Sequence, residues 1–373
     1  MPILPPIRFV GATILREGEL RQRSVSIAAG RITRGPLPAV DMSGFLILPG
    51  IVDMLHLPPT GGDAAMRLRR CRVAAAGAGI TTAWVAPHWA WDGGSESPES
   101  AQDFLHLLQR GSAPDLRPAL RIESGRSDTT ARLTALCDEI RPELCWFQND
   151  LARLSDLLQH DPQRFAQAAT EIGMAADDLA LALKAATENR RDVPRHLCRL
   201  AEHFDALATR YGSIGDTGGA MRETHSMIGA SLAACPAAHS AAAAAGAMGD
   251  PVLLSAADED RLNDMLRSGL GDAIVSDGHP DRLARLALSL SGADLADLPR
   301  IWAMLSARPA EIMGFADRGR LDLACRADLV MIAAKSGRVE ATISAGRLIH
   351  LGGVARARFA AASLTGGSRI AAE

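Results

Sequence analysis

Aromatic side chains are scarce in this 373-residue chain, about 4% of it, with one tyrosine. Alanine, leucine and valine must therefore fill most of its core. Six cysteines occur (Cys71, Cys137, Cys145, Cys198, Cys235 and Cys325), yet none forms a C-x-x-C pair. That spacing excludes a zinc ribbon or a dithiol redox motif, and without a secretory signal the thiols are expected to be reduced and structural. Charge of one sign is also missing. A net charge of -3 gives neither a nucleic-acid footprint nor a polybasic membrane surface. The opening MPILPPIRFV is apolar but short and broken by prolines, so it is expected to be neither signal peptide nor anchor. The alanine-rich stretch 230–249 contains Pro236 and His239 and reads as a buried helix with its flanks, not a membrane span. A cytoplasmic protein is the expectation. P-loop, dinucleotide-binding glycine and G-x-S-x-G patterns are all absent.

What is present is patterned. Residues 7–48 carry short apolar or β-branched runs punctuated by Gly11, Gly18, Gly30 and Gly44, and residues 325–362 have the same texture. Neither end can bury a core alone, so the two are predicted to share one small β-sandwich. Between them strand and helix alternate. LPGIVDML, GITTAWVA, PALRIESG, ELCWFQN, YGSIGD, GASLAAC, AMGDPVLL and DAIVSDG are the strand candidates, the pattern of a (β/α)8 barrel. The expected organisation is α/β: a TIM-like barrel over 49–317 and a sandwich from 1–48 plus 318–373. Residues 161–211 interrupt the alternation. Asp161-Pro162 opens one helix and Pro194 another, whose Leu197, Leu200, Ala201, Phe204, Leu207, Ala208 and Tyr211 fall at helical spacing. This helical insertion is expected at the C-terminal mouth of the barrel. A lid and a brace for a homodimer weigh equally.

Barrel enzymes carry their chemistry at the C-terminal ends of the strands. The first such end, residues 48–56, reads Leu-Pro-Gly-Ile-Val-Asp-Met-Leu-His. It resembles the P-G-x-V-D-x-H-x-(H/D) signature of the amidohydrolase superfamily. A late stretch, Ala307-Arg308-Pro309-Ala310 followed by Gly319-Arg320-Leu321 and Arg326-Ala327-Asp328-Leu329-Val330, is similar to the element with which that family closes the barrel and re-enters the sandwich. Ala324 stands where a second glycine is usual. Further stretches resemble the diphosphohydrolase branch that serves carbon–phosphorus-lyase phosphonate metabolism: Gly229-Ala230, Pro236, Ala241-Ala242-Ala243, Met248-Gly249-Asp250-Pro251, Ile274-Val275-Ser276-Asp277 and Arg282-Leu283-Ala284. The resemblance implies a metal-dependent hydrolase scaffold along roughly the whole chain.

The family's ligand positions are another matter. Two and four residues after Asp53 stand Leu55 and Leu57, and Gly215 replaces the histidine of the fifth strand. Strand alternation sends 53, 55 and 57 to one side and His56 to the other, unless a bulge rotates it inward. Asp277 keeps the place of the family's water-orienting aspartate, and Glu123 matches a glutamate of the branch. Glu123, His88 (among Trp89 and Trp91) and His279 are candidates to line a pocket. The expected metal is none, or a single divalent ion of the zinc or manganese class held by His56 and Asp277. A two-metal centre is not expected, because it needs four or more converging ligands. Two readings stay open: a non-catalytic or strongly altered homologue, and a single-metal hydrolase of a phosphorylated, amide or ester small molecule with Asp277 as general base. The expected partner is a small molecule, with no nucleic acid and no membrane.

Overall fold

A computed structural model describes residues 3–109, 113–292 and 295–365. Eight strands run parallel in chain order around a barrel: Ile51–His56, Ile80–Val85, Asp115–Glu123, Leu144–Gln148, Arg210–Ile214, Ala233–Ala234, Val252–Ser255 and Ala273–Val275. The second strand breaks at Pro87 and resumes as His88–Trp89, which pairs with the far half of the third through His88–Arg121 and Trp89–Ile122. At the seam between last and first strands, Asp277 and Ser276 donate to the Leu55 carbonyl, from backbone N and Oγ respectively. Alternation fills two layers. Val52, Met54, Trp84, Ala119, Trp146, Leu253 and Val275 pack inside the barrel. Ile80, Val85, Ile122, Phe147 and Leu254 face the helices. With few aromatics to spend, the chain spends two tryptophans in the barrel interior.

Both termini build the β-sandwich. One sheet is N-terminal, in the order Arg31–Thr33, Val25–Ala28, Ile7–Val10, Ala39–Asp41. The other mixes the ends: Phe45–Pro49 lies between Leu329–Ala333, antiparallel to it, and Thr13–Arg16. Ile7, Phe9, Ile27, Ile47, Met331 and Ile343 share the core between them. The C-terminal texture is not all strand, however. Gly353–Thr365 is a helix, because VARARFAAASL is rich in helix-forming alanine and arginine. Its buried Ala355 and Phe359 lie four residues apart on one face.

Helix occupies 151–207 in four pieces, Leu151–His160, Pro162–Ile172, Ala176–Glu188 and Val193–Leu207, beginning ten residues earlier than the sequence pattern suggests. The last of these is an ordinary barrel helix, with Leu200 and Phe204 in the barrel–helix layer. It stops at Ala208, which takes a left-handed conformation, so Tyr211 belongs to the fifth strand and not to the helix face. The first three pieces form their own core, Leu154, Phe165, Leu179 and Leu183, around Ala90 and Trp91. Ala90 and Trp91 follow the second barrel strand, so this trio of helices sits at the C-terminal side of the barrel. No described helix is long and apolar enough to cross a membrane.

Candidate functional site

The first strand end decides much of the chemistry. Its register shifts between Asp53 and His56, so the bulge that alternation allowed is present. It does not bring His56 into the mouth. His56 Nδ1 lies 2.9 Å from Asp53 Oδ2, and the ring reaches Cys71 on helix Ala64–Gly77. Burial works against its charge, but the Cys71 sulfur and the Asp53 carboxylate outweigh burial and hold His56 up to about 10. Asp53 Oδ1 accepts from the backbone amides of Leu55 and Ser276. The pair thus pins the barrel seam. Leu55 joins the interior core, with Leu57 packed against it. At the fifth strand Gly215 has a positive φ of 75° and open space where a side chain would project. The residues present at these positions do not fit a hydrolytic metal pair.

Asp277 lies across the mouth from that glycine. Ser255 Oγ donates to its Oδ2 at 2.7 Å. Both line a cavity of about 260 Å³ with Gly215, Cys235, Ala257 and Arg261. Burial and the neighbouring Asp277 carboxylate push the Cys235 thiol well up, so it is no thiolate nucleophile. His279 is exposed on the loop beyond. Asp258, Glu259 and Asp260 begin helix Glu259–Arg267, where Asp258 caps the Arg261 amide.

A second group gathers at the ends of the second, third and fourth strands. The alternation that turns Trp89 out to the barrel helices turns His88 inward. The loop after it folds back through a bond from the Ala90 amide to the Glu96 carbonyl. Gly94 makes that turn, and a side chain there would strike the Ile172 carbonyl. Glu96 Oε2 thereby sits 3.2 Å from His88 Nδ1, with Arg121 3.6 Å from its other oxygen. Burial opposes the Glu96 charge, but His88 and Arg121 outweigh it and hold that carboxyl down to about 2. Glu123, at the third strand end, is wholly buried. Its oxygens accept from the backbone amides of Gly125 at 3.1 Å and Asp150 at 2.8 Å. Burial, and then the Asp150 charge, push Glu123 up to about 8. Asp150, at the fourth strand end, accepts from Gln148 Nε2 at 2.8 Å. One ligand atom each from His88, Glu123 and Asp150 lie within 4.8 Å of one another. Among the described residues no other histidine, cysteine or carboxylate trio converges so closely.

The structure thus joins His88 to Glu123 and adds Asp150 from the end of the fourth strand. His56 is on the seam and His279 on the surface. A fifth-strand network was not foreseen at all: the buried Asp216 bonds Ser213, Arg222 and His225. Its sequence signal was an arginine six residues after a strand-end aspartate.

No family profile and no curated protein matches this chain. Solved structures do. An amidohydrolase is 13% identical, covering 94% of this chain and 100% of that one with a TM-score of 0.57. A β-aspartyl dipeptidase from Fervidobacterium islandicum AW-1, in complex with a β-Asp-Leu dipeptide, is 14% identical over 94% of this chain and 98% of its own, at 0.58. An N-acetyl-D-glucosamine-6-phosphate deacetylase from Mycobacterium smegmatis is 14% identical over 92% and 99%, at 0.60. At these identities the likeness is one of fold: the chain shares the barrel and sandwich of these structures over 92–94% of its length.

Proposed function

We propose that this chain is a strongly altered relative of the phosphonate-metabolism hydrolases, one that keeps the amidohydrolase scaffold to bind a small molecule and has given up the two-metal hydrolytic centre. The observation that carries this reading is Leu55, which fills the barrel interior at a ligand position. Leu57 and the open space at Gly215 support it. Losing the ligands costs the fold little, because leucine removes a polar group that would otherwise need a buried partner. The cavity beside Asp277, Ser255 and Arg261 is the binding site on this reading. The similar structures include a β-aspartyl dipeptidase and a deacetylase, but fold likeness alone carries no activity across.

A second reading makes the chain a single-metal hydrolase with Asp277 as general base. It is favoured by the exposure of Asp277 to that cavity. One experiment separates the two. The protein is supplied with Zn²⁺ or Mn²⁺ and assayed on amides, esters and phosphate anhydrides, with ligand binding followed in parallel by thermal shift. The first reading expects ligand-dependent stabilisation, abolished by the cavity-filling Ala257→Trp, and no turnover. Metal-dependent turnover lost in Asp277→Asn would establish the second.

A further inference from the structure

One imidazole nitrogen in the barrel mouth has nothing to bond. His88 is 2% exposed, and its Nε2 is buried without a hydrogen-bond partner. Its Nδ1 lies 3.2 Å from Glu96 Oε2, so Nδ1 is taken by that carboxylate and Nε2 is the ring atom left for another partner. That nitrogen belongs to a residue grouped with the carboxyl groups of Glu123 and Asp150. Glu123 is bonded by backbone amides alone. Asp150 takes Gln148 and Arg153 on its two oxygens, so the unpartnered atom of the group is the His88 nitrogen, and a cation that displaces the protons held there would complete the arrangement.

We propose that His88, Glu123 and Asp150 bind one divalent cation of the manganese or zinc class, at the ends of the second, third and fourth strands and apart from Leu55, Gly215 and Asp277. One nitrogen and two carboxylate oxygens suit that class better than they suit calcium or a soft thiophilic ion. Ligands to one ion at about 2.0–2.2 Å stand no more than about 4.4 Å apart. The 4.8 Å span of the three atoms therefore needs only a small inward rotation of the side chains. Glu96 behind His88 supplies the carboxylate that fixes the tautomer and orientation of a metal-bound imidazole. The group is not sealed. The Asp150 side chain is 20% exposed and provides an approach from solvent. Three protein ligands leave coordination positions for an oxygen of a bound anion, a carboxylate or a phosphonate for example.

The loss of the family's centre does not require this site, so the two ideas fail separately. Chelator-stripped protein is titrated with MnCl₂ and with ZnCl₂, followed by calorimetry and thermal unfolding. One ion per chain and a raised Tm are expected. Asp150→Asn, at a partly exposed position, and Glu123→Gln should weaken binding most, with native circular dichroism retained. Glu96→Gln touches no ion and should weaken it by about 10- to 100-fold. Asp277→Asn should leave the ion in place. Absence of saturable binding in the wild type would overturn the site and make His88 an imidazolium paired with the carboxylates. Undiminished binding in both Asp150→Asn and Glu123→Gln would also overturn it. Binding lost in Asp277→Asn but kept in Glu123→Gln would overturn this site and the proposed function together.

Discussion

Asp53 and His56 form a buried pair that ties the barrel seam. The aspartate keeps its buried place and bonds the Leu55 and Ser276 amides together with His56. Removing one partner of such a buried pair leaves an uncompensated charge and costs about 3–5 kcal/mol. Asp53→Ala should therefore lower the urea midpoint by that equivalent, whether or not metal is present. A metal-dependent loss would mean that the pair serves a site. His196 gives a pH signature of its own. Burial holds it down to about 4, against an ordinary 6.5. Between those values the unfolded chain binds the extra proton, so stability falls as pH drops from about 6.5 to about 4. His196→Gln should flatten that limb of a pH–stability profile, and an unchanged slope would place the titrating group elsewhere. At this scale the interior placing of Leu55 and Leu57 was legible, although the bulge between Asp53 and His56, and not plain alternation, sets Leu55 in the core with Val52 and Met54. The sequence was not legible where tertiary contacts rule: nothing local says that His88 Nε2 is unpartnered, or that Asp150 turns toward Glu123.

The trio of helices between Leu151 and Glu188 is the element most independent of the barrel, since Leu154, Phe165, Leu179 and Leu183 form a cluster of their own over Ala90 and Trp91. Truncating Phe165, 3% exposed, to alanine should cost about 3–5 kcal/mol locally. Hydrogen exchange should then rise across 151–188 while the barrel strands keep their protection. Uniform loss of protection would make the trio part of one cooperative unit with the barrel. The helical character of this stretch was legible from Asp161-Pro162 and the spacing of apolar residues. Its start was not, because the Asp150 backbone amide donates to Glu123 on the neighbouring strand and the first helix opens from there. The C-terminal helix was misjudged for a related reason. A short run of alternating alanine and arginine satisfies both periods, and only its packing on the sandwich through Ala355 and Phe359 selects one.

Across the whole molecule, architecture and activity separate. The architecture was readable because it is written redundantly: strand–helix alternation for the barrel, matching textures at both ends for the sandwich, and two ordered motifs nearly a chain length apart. The Trp302 indole donating to the Pro49 carbonyl and Arg326 donating to Asp115 and the Thr81 carbonyl are examples of what those framework residues do: they tie barrel to sandwich. None of this depends on the mouth, so the ligand positions can change while the fold persists. The central claim is that the hydrolytic metal pair is gone. Elemental analysis of the full chain, purified without chelator from metal-supplemented medium, tests it most directly. The expected result is no more than one divalent ion per chain, unaffected by Asp277→Asn. Close to two ions per chain, lost together in Asp277→Asn, would contradict the account.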